Sequence, residues 1–475
     1  MTAEIIEADI CVIGAGSGGL SVAAGASQMG AEVVLIERAK MGGDCLNYGC
    51  VPSKALLAAG HAAEAFRTAA PFGIASGDPA IDFAKVHEHV QGVIAAIEPN
   101  DSVERFEGLG VRVLQEAGRF TGPREVSAGT ATVRAKYFVV ATGSSAAVPP
   151  IPGLQDVPFL TNESIFELTE CPAHLIVIGG GPIGCELAQA HRRLGARVTV
   201  LEMFGILAKD DAEAAEVVRL QLRREGVELC EGVKIANVSK ESGGVSVEIE
   251  QDGQARRIEG SHILVAAGRR PNLDGLDLEA AGIAYSGKGI ETDARLRTSN
   301  KRVFAIGDVS GALQFTHVAG YHAGIVIRNA LFKLPAKVNY KAVPWVTYTD
   351  PELANVGLTE AQAQERLGDA IRILRWPFAE NDRAQAERET RGFIKVVADR
   401  KGRIHGACIV GAHAGDLILP WALAIAQGLK IGAMASVIAP YPTMSEISKR
   451  AAGSYYTPSL FSDRTKRLVR FLLKF

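Results

Sequence analysis

The chain has 475 residues, which at roughly 150 residues per domain indicates about three domains. Hydrophobic residues make up 47% and charged residues 22%, a globular balance that excludes extensive disorder, collagen-like repeats and a disulfide-stapled mini-protein. With 51 basic and 53 acidic residues the formal net charge is −2, so no global field favours nucleic acid, and no nucleic-acid partner is expected.

The opening segment carries acidic residues where a signal peptide needs positive charge, and no apolar run reaches the roughly 18 residues of a membrane span. Seven cysteines, mostly isolated in apolar surroundings, suit a reducing compartment. A cytoplasmic location is expected. From residue 8 the pattern is strand, glycine turn, helix, strand: Ile10 to Ile13, then Gly14-Ala15-Gly16-Ser17-Gly18-Gly19, an alanine-rich helix to about Met29, and a strand from Glu32 to Glu37. The same grammar returns with Leu175 to Ile178, Gly179-Gly180-Gly181-Pro182-Ile183-Gly184, a helix to about Leu194, and a strand from Arg197 to Glu202. Glu37 and Glu202 each stand 23 positions after the first glycine of their copy. Between the copies the proline-rich Val148 to Gly153 can continue neither a helix nor a central strand and marks a boundary. A second boundary is expected near Gly268 to Pro271, and β-branched runs at Phe393 to Val397 and Ile404 to Val410 indicate an α+β domain at the end.

In each Gly-x-Gly-x-x-Gly the first glycine makes the tight turn and the second lets backbone approach a pyrophosphate. The third allows close helix–strand packing, and the helix N-terminus faces the anion. The glutamate at the end of the second strand would accept hydrogen bonds from ribose hydroxyls, and at Glu202 a carboxylate would repel a 2′-phosphate, so NAD is expected over NADP. Cys45 and Cys50 lie in Gly42-Gly43-Asp44-Cys45-Leu46-Asn47-Tyr48-Gly49-Cys50-Val51-Pro52-Ser53-Lys54. Two unrelated buried thiols or a zinc half-site are the alternatives, but no second Cys/His pair at ligand spacing accompanies them, and no metal site is expected. A redox-active pair held near a cofactor suits the surrounding glycines, asparagine and proline better.

Over about residues 5 to 455 the chain resembles the class I pyridine nucleotide–disulfide oxidoreductases, the family of dihydrolipoamide dehydrogenase, glutathione reductase and mercuric reductase. The resemblance is carried by GAGSGG with Glu37, GGDCLNYGCVPSK, ATGS at Ala141 to Ser144, GGGPIGCELA, AAGRRPN at Ala266 to Asn272, and AIGD ending at Asp308. It implies an α/β fold with two doubly wound dinucleotide-binding domains, for FAD and NAD, plus a C-terminal α+β dimerisation domain that makes a homodimer. The expected bounds are 1–150 for the FAD domain with the redox disulfide, 151–270 for the NAD(P) domain and 271–340 for a return to the FAD or central domain. Residues 341–460 would form the dimerisation domain and 461–475 a basic amphipathic tail. By the same resemblance Gly14, Gly16 and Gly19 face the FAD pyrophosphate, Glu37 its adenosine ribose and Asp308 its ribityl–phosphate region, with Thr142, Gly143, Gly268 and His317 also near cofactor. Gly179, Gly181, Gly184 and Glu202 would hold NADH. Lys54 and Glu186 match an ion pair beside the flavin, and Cys50 is the cysteine expected nearer the ring. Cys45 would exchange with a small disulfide, thiol or electrophile substrate.

The chain departs from the family where disulfide-reducing members have His-Pro-Thr-x-x-Glu, with the histidine serving the partner subunit as acid/base. Here the catalytic candidates are Tyr441 and Glu446, in Tyr441-Pro442-Thr443-Met444-Ser445-Glu446. With a reference pKa of about 10 against about 6.5, a tyrosine is a poor general base at neutral pH but can donate a hydrogen bond, so dithiol oxidation should be impaired. Mercuric reductases are similar in having a tyrosine near this position, and Asn381 to Ala384 with Thr390 to Lys395 also resembles that branch. Those enzymes hand over metal with a C-terminal cysteine pair, whereas no cysteine follows Cys408 in this sequence, and no N-terminal metal-binding domain is expected either. A disulfide oxidoreductase is the leading expectation, with a mercuric-reductase-like metal or electrophile reductase and a flavoprotein redox sensor of little turnover as alternatives.

His317 is expected to be a structural histidine near the cofactor rather than a replacement base. In the tail, Leu468, Phe471, Leu472 and Phe475 share one helical stripe and Lys466, Arg470 and Lys474 another. A helix packed on its own domain is the first expectation. A weak, reversible membrane-surface or partner contact is the second.

Overall fold

Strand β1 (Glu4–Ile13) opens the computed structural model, which describes residues 4–311 and 313–475. Its last four residues, Ile10, Cys11, Val12 and Ile13, are all buried, as a parallel strand covered on both faces requires. Its first half alternates between exposed and buried residues, so the apolar run that marks the strand in the sequence begins only at Ile10. Helix α1 (Ser17–Gln28) returns the chain to β2 (Val33–Ile36), which pairs in parallel with β1. Helix α2 (Gly43–Asn47) and helix α3 (Cys50–Arg67) follow.

The chain divides into two compact units. The first comprises the chain up to Gly179, Ala190–Leu201 and Val233–Val338. Its main sheet has seven strands, with β3 (Val111–Leu114), β4 (Gly118–Gly122), β5 (Glu125–Ala128) and β6 (Ala131–Val140) joining in the order β3-β2-β1-β6-β5-β4. Far along the chain, Val303–Ala305 adds to β6 in parallel, so the polypeptide returns to this sheet after a long excursion. Val12, Leu35, Val139 and Phe304 pack with α1 and the helix Thr316–Ala330 in one apolar layer. Cys11, Ile36, Phe138 and Val140 belong to a second core cluster. Within the excursion, His174–Ile178 pairs in parallel with both Arg197–Glu202 and His262–Val265. This is the second strand–turn–helix–strand unit, with its helix at Pro182–Arg193. Three antiparallel strands, Lys234–Glu241, Gly244–Gln251 and Gln254–Gly260, form a separate sheet.

The second unit comprises Gly180–Gln189, Glu202–Gly232 and Asn339–Phe475. Its five-stranded antiparallel sheet runs in the order Pro344–Thr347, Glu352–Gly357, Ile404–Gly411, Phe393–Asp399, Ile371–Pro377. The two β-branched runs of the sequence are neighbouring strands here, and their inward residues pack with Trp421, whose indole Nε1 donates to Ser448 Oγ at 3.0 Å. Lys395 is buried in this unit among Asp211, at 3.0 Å, and Glu360, at 2.7 Å, the paired state that a buried ammonium needs. The last helix, Asp463–Leu472, has no buried residue, so the expectation that it packs on its own domain is overturned. Among the described residues its apolar stripe, Leu468, Phe471, Leu472 and Phe475, stays exposed. No helix among the described residues is long and apolar enough to cross a membrane.

Candidate active site

The cysteine loop is shaped by short side chains. Gly43 has φ +60 and lies so close to the first glycine turn that a Cβ there would meet Gly16 Cα at 2.7 Å, which presses the loop onto the start of α1. Gly49 breaks the chain between α2 and α3, and a Cβ on it would meet Asp44 Oδ2 at 2.8 Å. The break lets two cysteines five positions apart hydrogen-bond to each other, both as free thiols.

Cys50 is the first residue of the 18-residue helix α3, where the helix dipole favours a thiolate, and Lys54 stands one turn further on. The hydrogen bond from Cys45 is the largest influence drawing the Cys50 thiol down, to about 6. Thr316, whose Oγ1 lies 3.4 Å from the sulfur, and the Lys54 ammonium act in the same direction, while desolvation and the Asp44 carboxylate oppose them. Cys45 is pushed well above the usual thiol range, first by the same hydrogen bond and then by burial, with the hydroxyls of Thr316 and Ser17 working against it. Cys50 is therefore the more acidic thiol of the pair and Cys45 the less acidic one. Lys54 Nζ also reaches Ser53 Oγ at 3.4 Å.

A polar hub lies beside this loop. Arg269 forms an ion pair with Asp44 at 3.0 Å, donates to the Ser144 hydroxyl at 2.8 Å and to its carbonyl at 2.7 Å, and lies 3.9 Å from Asp308. Ser144 in turn donates to Asp308 Oδ2 at 2.6 Å. Burial raises the Asp308 carboxyl, and Ser144 and Arg269 partly offset this. Thr142 Oγ1 donates to the Asn272 carbonyl at 2.8 Å, and the Asn272 side chain returns a bond to the Thr142 carbonyl at 3.0 Å. Three motifs far apart in sequence, ATGS, AAGRRPN and AIGD, are thus one assembly. Gly143 and Gly268 both have positive φ with open space where a Cβ would be. Behind Asp308, buried His322 accepts the Gly307 N–H through Nδ1 at 3.1 Å, and burial pushes its imidazole down to about 4. His317 lies at the exposed start of the helix Thr316–Ala330, its ring stacked on Phe315.

The two glycine turns repeat down to individual hydrogen bonds. Glu37 accepts from Ala15 N at 2.6 Å and from Ala39 N at 2.8 Å. Glu202 accepts from Gly180 N at 2.6 Å and from Phe204 N at 3.0 Å. Each carboxylate is therefore locked at the end of its strand with lone pairs left for ribose hydroxyls. Gly14 and Gly179, with φ +106 and +111, leave no room for a Cβ, which would meet the carbonyl oxygens of Ala141 and Ala266 at 2.4 Å in each case. Gly19 is excluded by the Gly14 oxygen at 1.9 Å, the close packing expected of a third glycine. In contrast, a Cβ on Gly16 would meet only Gly43 Cα at 4.0 Å, and one on Gly181 would meet nothing within 4 Å. Gly184 lies in the first turn of the helix Pro182–Arg193. The middle glycines face open space, whereas Gly14, Gly19 and Gly179 do not, so both turns fit a dinucleotide pyrophosphate at a helix N-terminus.

The remaining candidates belong to the second unit. Glu186 is buried, and its Oε1 accepts from Tyr348 N at 2.9 Å. Tyr441 is exposed and its hydroxyl donates to Asp382 Oδ2 at 2.9 Å, which raises the phenol above its usual range. Asn381 fixes this arrangement, capping the helix Asp382–Glu387 with its side-chain oxygen while Nδ2 donates to the Thr443 carbonyl at 3.1 Å. Glu446 is the first residue of the helix Glu446–Ser454. Thr316, Ser17, Arg269 and Asp382 were not singled out in the sequence as site residues. Only the proximity of Thr316 to His317 and of Arg269 to Gly268 hints at the first and third.

Two glycine–glutamate turns, a hydrogen-bonded cysteine pair with one low-pKa thiol, and an α/β scaffold define a two-dinucleotide thiol oxidoreductase. Residues 8–323 match the pyridine nucleotide-disulphide oxidoreductase family and residues 343–452 its dimerisation domain. The chain is 37% identical over 447 residues to mercuric reductase of Staphylococcus aureus, covering 94% of this chain and 82% of that protein. It is 37% identical over 457 residues to dihydrolipoyl dehydrogenase of Geobacillus stearothermophilus, covering 94% and 96%. Among solved structures it is similar to the HOCl-induced flavoprotein disulfide reductase RclA of Escherichia coli in its Cu(II) complex, with TM-score 0.83, 27% identity and coverage of 93% of this chain and 98% of that one. The chain belongs to the pyridine nucleotide-disulphide oxidoreductase family. It is an FAD-dependent, NAD(P)H-linked oxidoreductase acting on a sulfur group, and the dimerisation-domain match supports a homodimer.

Proposed function

We propose that the protein is a cytoplasmic NADH-dependent reductase of small disulfides or related electrophiles, working through Cys45 and Cys50. The feature that carries this is the placing of Cys45 and Cys50 on either side of the Gly49 break, in hydrogen-bond contact, with Cys50 at the start of α3 drawn down to about 6 and Cys45 raised. Cys45 gives its proton to Cys50 along their hydrogen bond and attacks a substrate sulfur as the thiolate; the substrate S–S bond breaks, a mixed disulfide forms on Cys45, and the departing thiolate takes the proton held by Cys50. The Cys50 thiolate then attacks the Cys45 sulfur, closing the Cys45–Cys50 bond and releasing the second half of the substrate as a thiolate, which takes a proton from solvent. Bound FAD supplies the two-electron relay that returns this disulfide to the dithiol at the expense of reduced nicotinamide. Gly14, Gly16, Gly19 and Glu37 would hold its pyrophosphate and ribose end, with Asp308, Thr142 and Gly143 further along. Lys54 would stabilise negative charge on its ring.

Proton bookkeeping favours reduction. A substrate disulfide needs a donor for its leaving thiolate, which the cysteine pair and the Tyr441 phenol supply. A dithiol substrate needs a base, and a phenol already donating to Asp382 is not one. The same donor character favours a second reading, reduction of thiolate-bound metal ions, which also requires no base at position 441. NADH consumption with lipoamide, glutathione disulfide, Hg(II) and quinones separates the two. A disulfide acceptor should sustain turnover that is abolished in Cys45→Ser, whereas turnover with Hg(II) or quinones alone would transfer the assignment to the second. We also propose that the C-terminal helix makes a reversible surface contact, since its apolar stripe is uncovered.

A further inference from the structure

We propose that the partner of the helix Asp463–Leu472 is an anionic lipid bilayer, on which the enzyme docks reversibly. This rests on taking the tail as a contact helix and on nothing in the redox site. The helix has a defined start: Ser462 accepts from Thr465 N, and Thr465 Oγ1 donates to the Ser459 carbonyl at 2.8 Å. Beyond Thr465 every residue is exposed. Leu468, Phe471, Leu472 and Phe475 are exposed to 55%, 57%, 57% and 96% on one side, with the Phe471 and Phe475 rings 5.4 Å apart. Arg467, Arg470 and Lys474 occupy the other side, flanked by Lys466. A helix shorter than about 12 residues is marginal in water by itself, so a ten-residue helix with no buried residue gains most from a surface that covers its apolar side.

Charge selects the surface. From residue 463 onward there are five basic residues and one acidic one, although the whole chain carries −2. Two copies packed through the apolar stripe would leave the basic side in water and make no use of its charge. Anionic headgroups neutralise that charge, while the interface below accepts the leucines and phenylalanines, which is the composition of a surface-lying amphipathic helix. The tail also lies beyond residue 452, where the match to the dimerisation domain ends, and exposed Leu460 and Phe461 extend the apolar surface towards it.

The test uses the FAD-loaded full chain with vesicles of phosphatidylcholine, alone or mixed with an equal part of phosphatidylglycerol, and reads pelleting and NADH turnover together. The full chain should pellet with the mixed vesicles, remain in solution with the neutral ones and be released by salt. A triple Leu468→Ser/Phe471→Ser/Leu472→Ser variant and a chain ending at Ser459 should stay in solution with turnover unchanged. Arg467→Gln and Arg470→Gln should each weaken partitioning about five-fold, one surface charge apiece. Equal pelleting of the full and shortened chains, or no pelleting of either, overturns the proposal. So does a fall in oligomer mass on shortening without any lipid binding, which would make a second copy the occupant. Lost turnover with lipid binding intact would strike the redox assignment instead.

Discussion

At the scale of single residues, Cys50 owes its reactivity to neighbours drawn from three places. Cys45 donates to it across the loop, Thr316 reaches it from 266 positions away, and Lys54 adds charge from one turn along its own helix. Reduced enzyme should therefore be alkylated by iodoacetamide with half-maximal thiolate near pH 6, the rate rising with pH as Cys50 deprotonates. Lys54→Met removes a stabilising cation, so the midpoint should move up by about one pH unit. Arg269→Met should move it the same way by exposing Cys50 to the unpaired Asp44 carboxylate. An unchanged midpoint in both would mean that local charge does not set this thiol. Tyr441 makes the opposite kind of statement, because its bond to Asp382 keeps it a donor. Tyr441→His introduces a group that is largely basic at neutral pH, and dihydrolipoamide oxidation should rise several-fold, measured as NAD reduction. A rate at or below wild type would remove the role assigned to the position.

At the scale of elements, the two glycine turns separate structural glycines from ligand-facing ones. Gly179→Ala must place a side chain at φ +111 against the Ala266 oxygen, a backbone cost of about 1–3 kcal/mol before the clash, and should lower Tm. Gly181→Ala meets open space, so Tm should hold while KM for NADH increases at least several-fold. Matching Tm losses would show that the second turn is only a packing device. Glu202→Gln keeps an acceptor for the Gly180 N–H but discards the charge, so the ratio of kcat/KM for NADH over NADPH should fall. These turns were legible in the sequence because one stretch of chain contains the whole unit: strand, glycines and glutamate at fixed offsets. The cysteine pair was legible for the same reason. Thr316, Arg269 and Asp382 were not, since each reaches its partner across the fold, and single-chain spacing carries no trace of such meetings. The tail shows the limit from the other direction. Its two stripes are evident in the sequence, but whether anything covers the apolar one depends on where the last strands and helices leave it.

At the scale of the whole molecule, the repeated dinucleotide unit, the return of Val303–Ala305 to the first sheet, and the five-stranded sheet of the second unit follow the order of motifs along the chain. What the fold adds is convergence: ATGS, AAGRRPN and AIGD meet through Ser144, Arg269 and Asp308 beside the cysteine loop. Electrons from a nicotinamide should accordingly arrive on sulfur, and that can be counted. Of seven cysteines, five are outside the pair. Holoenzyme unfolded without reductant should titrate five thiols per chain, and seven after anaerobic addition of NADH, with the two new thiols mapped to Cys45 and Cys50 by alkylation. No gain in thiols while NADH is consumed would contradict the account.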